Sequence, residues 1–324
     1  MFPRPATQPS RPEFVAIATV PMATIALAID VMLPALGDMA SEFGVEDNKR
    51  QFVIAALFLG LAFGQLIFGP LSDGIGRRPA ITAGAALFAI GGAVCATATT
   101  FEGLIAGRLL QGVGAAGPRI VTVALIRDRF EGAAMGRIMS IIMGVFIMVP
   151  VLAPSVGQGL LRILDWRDLF TLLSVICVGG TAWLLLRQPE TLPERRPFRI
   201  GPFADAVAEV LRDGKAMAFT MAGGLCYGAL MGYVNSSQQL FQETYVAGDS
   251  YSLLFGAAAA FISAATLTNA RMVGQIAMDR ICMWAVGSLL VWSLFVLAFW
   301  QRSGRCRRSG RSWRRTVRPC SCWD

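Results

Sequence analysis

Three ionisable side chains, Asp30, Arg108 and Arg119, stand inside long apolar stretches of this 324-residue chain. Insertion scales place each at a cost of about 2.5–3.5 kcal/mol near the centre of a membrane-spanning helix. A cost of that size calls for a partner, for water or for a use. A carboxylate and a guanidinium that pair and separate can exchange a proton, because the acid is charged beside the cation and protonates away from it. Eleven helical steps of about 100° return Arg119 to within about 20° of Arg108. Arg108, Gln111 and Arg119 therefore form one polar stripe on a helix otherwise rich in Gly and Ala. A second polar group, GPLSDGIGRR at 69–78, interrupts two greasy runs, 51–68 and 79–96. Gly69, Gly74 and Gly76 permit a tight turn there. Arg77 and Arg78 stand at headgroup level, and Asp73 lies where an acid meets the N-terminal dipole of the next helix.

The elements that must hold these groups follow from composition. Hydrophobic residues make up 55% of the chain and charged residues 15%, against about 25% charged in a soluble globule. Mean hydropathy is +0.56. The apolar residues fall in nine blocks: 14–36, 51–71, 79–98, 103–125, 138–161, 168–186, 216–236, 252–269 and 281–300. About 20 helical residues cross a slab of about 30 Å, and a backbone inside lipid must bond to itself, so each block predicts a transmembrane helix. The strand-length alternation of a membrane barrel is missing. The first block is too long for a signal core and reads as a retained span.

The same composition excludes much chemistry. There is no histidine, the commonest general base and metal ligand. Cys95, Cys177, Cys226 and Cys282 stand singly within spans, which argues against a disulfide framework or zinc site. No cofactor is expected. An enzyme is disfavoured, because no nucleophile has a plausible base beside it.

Positive charge marks cytoplasmic loops. With the N-terminus inside, the inner segments carry 15 Lys/Arg and the outer loops 4. That predicts a cytoplasmic 1–13 and an external acidic group of Asp38, Glu42, Glu46 and Asp47. The segment 188–215, rich in charge and proline, predicts a cytoplasmic linker with a short helix at 203–213; it separates a six-helix bundle (14–187) from three further helices (216–300). With helix 1 ending near residue 36 and helix 4 starting near 103, Asp30 and Arg108 lie about 9 and about 7.5 Å below the outer face. The matching depths predict a pair if the two helices are neighbours. One reading makes that pair structural glue for helix 4, and the other makes it a proton-coupling, substrate-cavity surface. Gly60-x-x-x-Gly64 and Gly103-x-x-x-Gly107 predict close helix contacts. Pro150 and Pro154 predict a kink in helix 5.

Gly69, Leu71, Asp73, Gly76, Arg77 and Arg78 resemble the G-x-L-x-D-x-x-G-R-[RK] loop between the second and third helices of the major facilitator superfamily. Arg108, Gln111 and Gly112, in LIAGRLLQGVGAA, resemble its fourth-helix motif. AIDVMLPAL (28–36), RDRFEG (127–132), PVLAPSVGQ (150–158) and DWRDLF (165–170) resemble the Bcr/CflA-type drug resistance branch. The antiporter motif of helix 5 is matched only partly, since Ala153 precedes Pro154 where the family has glycine. In the second half, NARMVGQIAMDR (269–280) gives a faint echo of the loop motif.

The resemblance implies an all-α polytopic protein with two six-helix bundles of inverted repeats, here with the second bundle incomplete. It implies a bacterial inner-membrane transporter that exchanges protons for an amphipathic drug-like molecule. Asp30 and Arg108 would couple the proton, Gln111 and Arg119 line the cavity, and 69–78 form a gating loop. Membrane lipid is the other expected partner, and nucleic acid is not. Uptake of a metabolite on the same fold is the alternative, as is a non-transporting remnant or interaction protein. The segment 301–324 holds eight arginines and three cysteines. By parity it falls outside, against the charge rule that orders the other loops. Its composition predicts a reading-frame change that removes the last helices and leaves a chain that does not transport.

Overall fold

In the computed structural model, residues 9–45, 47–192, 207–238 and 278–309 are described, and among them all regular structure is helical. The helices are α1 (Arg11–Asp30), α2 (Leu36–Glu42), α3 (Phe52–Ile75), α4 (Arg77–Ala96), α5 (Phe101–Arg129), α6 (Gly132–Leu160), α7 (Trp166–Arg187), α8 (Gly214–Gln238) and α9 (Met278–Ser309). Five segments, Arg11–Asp30, Lys49–Ile75, Arg77–Ala96, Phe101–Arg129 and Trp166–Arg187, are long and apolar enough to cross a membrane. The eighth expected span, 252–269, lies outside the described residues, as do 269–277 of the repeat echo and 310–324 of the arginine-rich tail. Residues 207–212 are helical, within the short helix expected at 203–213.

The chain divides into two compact units, residues 1–209 with 231–266, and residues 210–230 with 267–324. In the second unit α9 continues without a break from the ninth apolar block to Ser309, into the arginine-rich segment. The first unit holds α1–α7 and every functional residue discussed below.

Local chemistry sets the helix starts. Ser10 accepts from Glu13 N at the head of α1, and Thr100 accepts from Gly103 N at the head of α5. Asp165 and Asp168 form a capping box that starts α7. Inside lipid there is little hydrophobic drive between helices, so close packing must hold them together. At the α3–α5 crossing the backbones nearly touch. A Cβ on Gly60 would overlap the Leu109 carbonyl, and one on Gly112 would overlap the Leu57 carbonyl. Toward the ends of α1 (Phe14, Ile17), α5 (Leu125, Ile126) and α7 (Leu184, Leu185), a buried apolar cluster joins the helices, with Ala80, Ile81 and Ile138 from α4 and α6.

Three expectations are corrected. Helix 1 stops at Asp30 rather than near 36. Residues 31–35 form tight turns bonded three residues back, such as Leu33 N to Asp30 O at 3.3 Å. Pro34 has no N–H to continue the α pattern. Helix 2 runs to Ile75, so Gly69, Asp73 and Gly74 are helical, and the turn into α4 is Gly76 alone, at φ 108°. Gly103 meets the capping Thr100 hydroxyl rather than a facing helix. Beyond these three corrections, Pro150 and Pro154, the expected place of a kink, both lie within the single helix α6.

Candidate functional site

The membrane-embedded polar residues gather where α1, α5 and α7 meet. Arg108 is completely buried and Asp30 is 3% exposed. The Arg108 Nη1 donates to the Ala28 carbonyl of α1 at 3.1 Å and to Gln111 Oε1, one turn along α5, at 3.0 Å. Helices 1 and 4 are therefore neighbours, as the depth argument required. The expected ion pair is not formed: Arg108 spends its Nη1 on α1 backbone and Gln111. Asp30 Oδ1, Arg108 Nε, Arg108 Nη2 and Gln111 Nε2 are buried without a hydrogen-bond partner in the protein. The guanidinium lies over the Phe170 ring of α7, 4.9 Å from its centroid. Asp30 and Arg108 are thus both buried in this part of the bundle and are not bonded to each other.

Arg119 is half-buried and lies about 16 Å further along α5. The structure does not bring it to Arg108. The stripe that is fully enclosed is Arg108 and Gln111, with Thr122 buried beyond them.

The loop motif sits in a second polar cluster. Arg77 donates from Nη1 to Asp73 Oδ1 at 2.6 Å and Ser72 Oγ at 2.8 Å, and from Nε to Asp128 Oδ2 at 2.9 Å. Arg78 Nη2 donates to the Leu185 carbonyl at 2.6 Å. Asp73 therefore serves Arg77 from within α3, and the acid at the head of α4 is Glu190. Its carboxylate accepts from Arg77 N at 3.0 Å and Arg78 N at 3.1 Å. Thr191 of the same segment donates from Oγ1 to Asp128 Oδ2 at 2.9 Å. The stretch after α7 is thereby tied to the α3–α4 turn and the end of α5. Close by, Glu13 of α1 binds Arg187 of α7 through two bonds, and Arg129 donates from Nη1 to Gln188 Oε1 at 2.7 Å.

At the opposite ends of these helices Glu42 joins α2 to α7. It pairs with Arg167 at 2.7 Å and accepts from the Trp166 indole N–H at 2.8 Å. Those two donors, Arg167 first, hold the Glu42 carboxyl below the usual value for glutamate. Arg167 also donates to the Ala98 carbonyl at 3.0 Å, reaching the α4–α5 turn.

Asp128, Glu190 and Phe170 are functional candidates that sequence reasoning did not single out, and Glu42 was named there only as one of an external acidic group. Asp128 lies between two arginines in RDRFEG and Glu190 is one of five acids in a charged segment, so nothing local marks either. Phe170 and Trp166 belong to DWRDLF, where their spacing of four places both on one helical face. Among the described residues, no three His, Cys, Asp or Glu side chains are grouped to hold a metal ion.

Residues 20–303 match the Major Facilitator Superfamily profile. The chain belongs to the Major Facilitator Superfamily. Over 235 residues it is 31% identical to the uncharacterized MFS-type transporter YdgK of Bacillus subtilis (strain 168), covering 71% of this chain and 58% of that one. It is 25% identical over 282 residues to a bicyclomycin resistance protein homolog of Haemophilus influenzae, covering 84% and 71%. Over 171 residues it is 32% identical to multidrug resistance protein D of Escherichia coli (strain K12), covering 53% and 43%. These drug-resistance relatives support the Bcr/CflA branch that the motifs resemble, although the match to YdgK spans under two thirds of that protein's length. Among solved structures, a D-xylose-proton symporter aligns with TM-score 0.60 at 17% identity, covering 81% of this chain and 69% of that one. The human organic anion transporter MFSD10 aligns with TM-score 0.55 at 19% identity, covering 79% and 71%. At those identities they show the fold alone, a polytopic helical bundle. Superfamily members are transporters and not enzymes.

Proposed function

We propose that this Major Facilitator Superfamily chain is a proton-coupled exporter of amphipathic, drug-like molecules in a bacterial inner membrane, with its N-terminus in the cytoplasm. Residues 14–187 form its first bundle, 188–215 its cytoplasmic linker and 216–300 part of a second bundle. The observation that carries the reading is Asp30. It is an acid buried at membrane depth, on the helix whose Ala28 carbonyl accepts from the buried Arg108. A group so placed is neutral when protonated and costly when charged, so gain and loss of a proton changes which environment it tolerates. A proton entering from outside neutralises Asp30, and its release toward the cytoplasm restores the charge. Coupling that cycle to opening at alternate faces drives export against a gradient.

The loop residues Gly69, Asp73, Gly76, Arg77 and Arg78 act in this scheme as the inner gate. Arg77 is the centre of the ties to Asp73 and Asp128, and opening that face requires some of them to part. Gln111 and Arg119 are assigned to the cavity wall, and Pro150 and Pro154 to a flexible point in α6. The drug-resistance relatives support efflux as the direction.

Ethidium accumulation in cells expressing the chain tests this reading. Lower accumulation than in control cells, restored to the control level by a protonophore, is the expected result. Higher accumulation in the expressing cells would make the chain an importer, and equal accumulation would count against export.

A further inference from the structure

We propose that Arg108 is a carboxylate-binding residue: one edge of its guanidinium, Nε–H with Nη2–H, takes the carboxylate of an amphipathic organic anion. That such an anion is exported rests on the reading above; the binding itself does not.

Arg108 is completely buried, and a guanidinium taken out of water without an opposite charge is costly. Its partners in the protein are all uncharged. Nη1 donates to the Ala28 carbonyl of α1 at 3.1 Å and to Gln111 Oε1 at 3.0 Å, which uses both of its hydrogens. The Phe170 ring of α7 lies with its centroid 4.9 Å from Cζ and offsets part of the charge. Among the described residues, no carboxylate forms an ion pair with Arg108.

The donors left over are not scattered. Nε and Nη2 are buried without a partner, and in a guanidinium the Nε–H and one Nη2–H leave the same edge in parallel, spaced for the two oxygens of a carboxylate. The contacts on the other side fix that edge. With Nη1 tied to α1 and to Gln111, and Phe170 against the guanidinium, the group cannot turn to spend the pair elsewhere. Gln111 is placed by the same bond, and its Nε2 is a further unused buried donor. A water molecule could accept from such an edge but brings no charge. A carboxylate accepts twice and brings the opposite charge, and bonds of that kind are about twice as strong as neutral ones. The body of the anion must suit carbon. Leu104 and Gly112 stand one turn either side of Arg108 on α5, and Phe170 and Leu173 face inward on α7, all of them buried. An inorganic oxyanion would leave oxygens unpaired there, at a cost, whereas an aromatic or alkyl carboxylate would not. The edge is enclosed by α1, α5 and α7, so the ligand enters when these helices part, as access from alternate faces requires.

The test uses the purified full chain in an uncharged detergent at neutral pH, with sodium benzoate replacing sodium chloride at constant ionic strength. Benzamide, an uncharged analogue of similar shape, is the control. The expected result is a melting temperature that rises and saturates with benzoate and does not move with benzamide. Arg108→Lys keeps the charge but loses the planar edge, and its half-saturating benzoate concentration should be about tenfold higher, the loss of one good bond. Equal effects of benzoate and benzamide would overturn the proposal, as would equal half-saturation in wild type and Arg108→Lys. No rise as benzoate replaces chloride would mean an adventitious ion only, and would overturn it too. If Arg108→Lys does not fold, the wild type with nitrogen-15 at arginine Nε decides the matter. Benzoate, and not benzamide, should then shift an Nε–H resonance that is protected from exchange with water, and protected resonances that stay in place would overturn the proposal. Ethidium accumulation is a separate readout. Benzoate binding that fails while ethidium is exported strikes this proposal alone, and binding that holds while ethidium is not exported strikes the exporter reading alone.

Discussion

The Glu190 carboxylate reaches back across 112 residues to cap α4, accepting from Arg77 N at 3.0 Å and Arg78 N at 3.1 Å. An acid at a helix N-terminus satisfies donors that the helix leaves open and opposes the positive end of its dipole. The residue that admits it is Gly76, at φ 108° and ψ 159°, where a Cβ would stand 2.8 Å from Glu190 Oε2. That backbone region is almost confined to glycine and costs other residues about 1–3 kcal/mol. Gly76→Ala is therefore expected to destabilise the purified protein by about that amount. A thiol-reactive dye that reports exposure of the buried Cys95 and Cys177 on heating checks it. An unchanged melting curve would show that the turn has an alternative conformation.

Arg77 makes three charge-assisted contacts, to Asp73, Asp128 and Ser72. Such bonds contribute about 1.5–3 kcal/mol each when one partner is charged. Asp128→Asn keeps the shape but removes the charge, and is expected to lower stability by about 1–2 kcal/mol. Arg77→Lys should lose more, because an ammonium cannot serve two carboxylates with a planar fork. Melting temperatures of the two variants, measured side by side, give the order.

Gly112→Val is expected to prevent assembly of α3 on α5, because its first side-chain carbon would overlap the Leu57 carbonyl. Backbone on both sides leaves no flexible atom to yield. Size-exclusion chromatography of detergent extracts should show aggregate where the wild type gives a single peak. Gly159→Val, at a site with open space around it, is the control and should behave as wild type.

Much of this was legible beforehand. Helix type and placement follow from hydrocarbon thickness, so the helices α3, α4, α5 and α7 fall close to the apolar blocks. That the helices of Asp30 and Arg108 are neighbours was readable from equal depth. Depth could not say what Arg108 would bond to, because the competing oxygen is the Ala28 backbone carbonyl, which every residue carries. Helix 1 was overrun by six residues because hydropathy continues through Val31–Leu36 although Pro34 breaks the bonding pattern. Glu190 was invisible for the opposite reason: its role depends on a tertiary contact, and its neighbours Pro189 and Thr191 read as linker.

Glu42 supplies a pH dependence. Arg167 and the Trp166 indole hold its carboxyl below the ordinary value, so the unfolded chain protonates first as pH falls. The stabilisation is present above the unfolded pKa of about 4.3 and is lost as pH drops through the lower folded value. Glu42→Gln should melt lower than wild type at pH 6, and the gap should close toward pH 3. A gap that persists at pH 3 would mean that packing, and not charge, is what Glu42 provides.

The account depends most on Asp30 as the group that carries the proton. The direct measurement is proton movement out of proteoliposomes loaded with a pH-sensitive dye when ethidium is added outside, comparing wild type with Asp30→Asn at equal folded content. Ethidium-dependent proton movement by the wild type, abolished in Asp30→Asn while the protein stays monodisperse, is the expected result. Proton movement of normal size in Asp30→Asn would contradict the account, because the buried acid of α1 would then have no part in coupling.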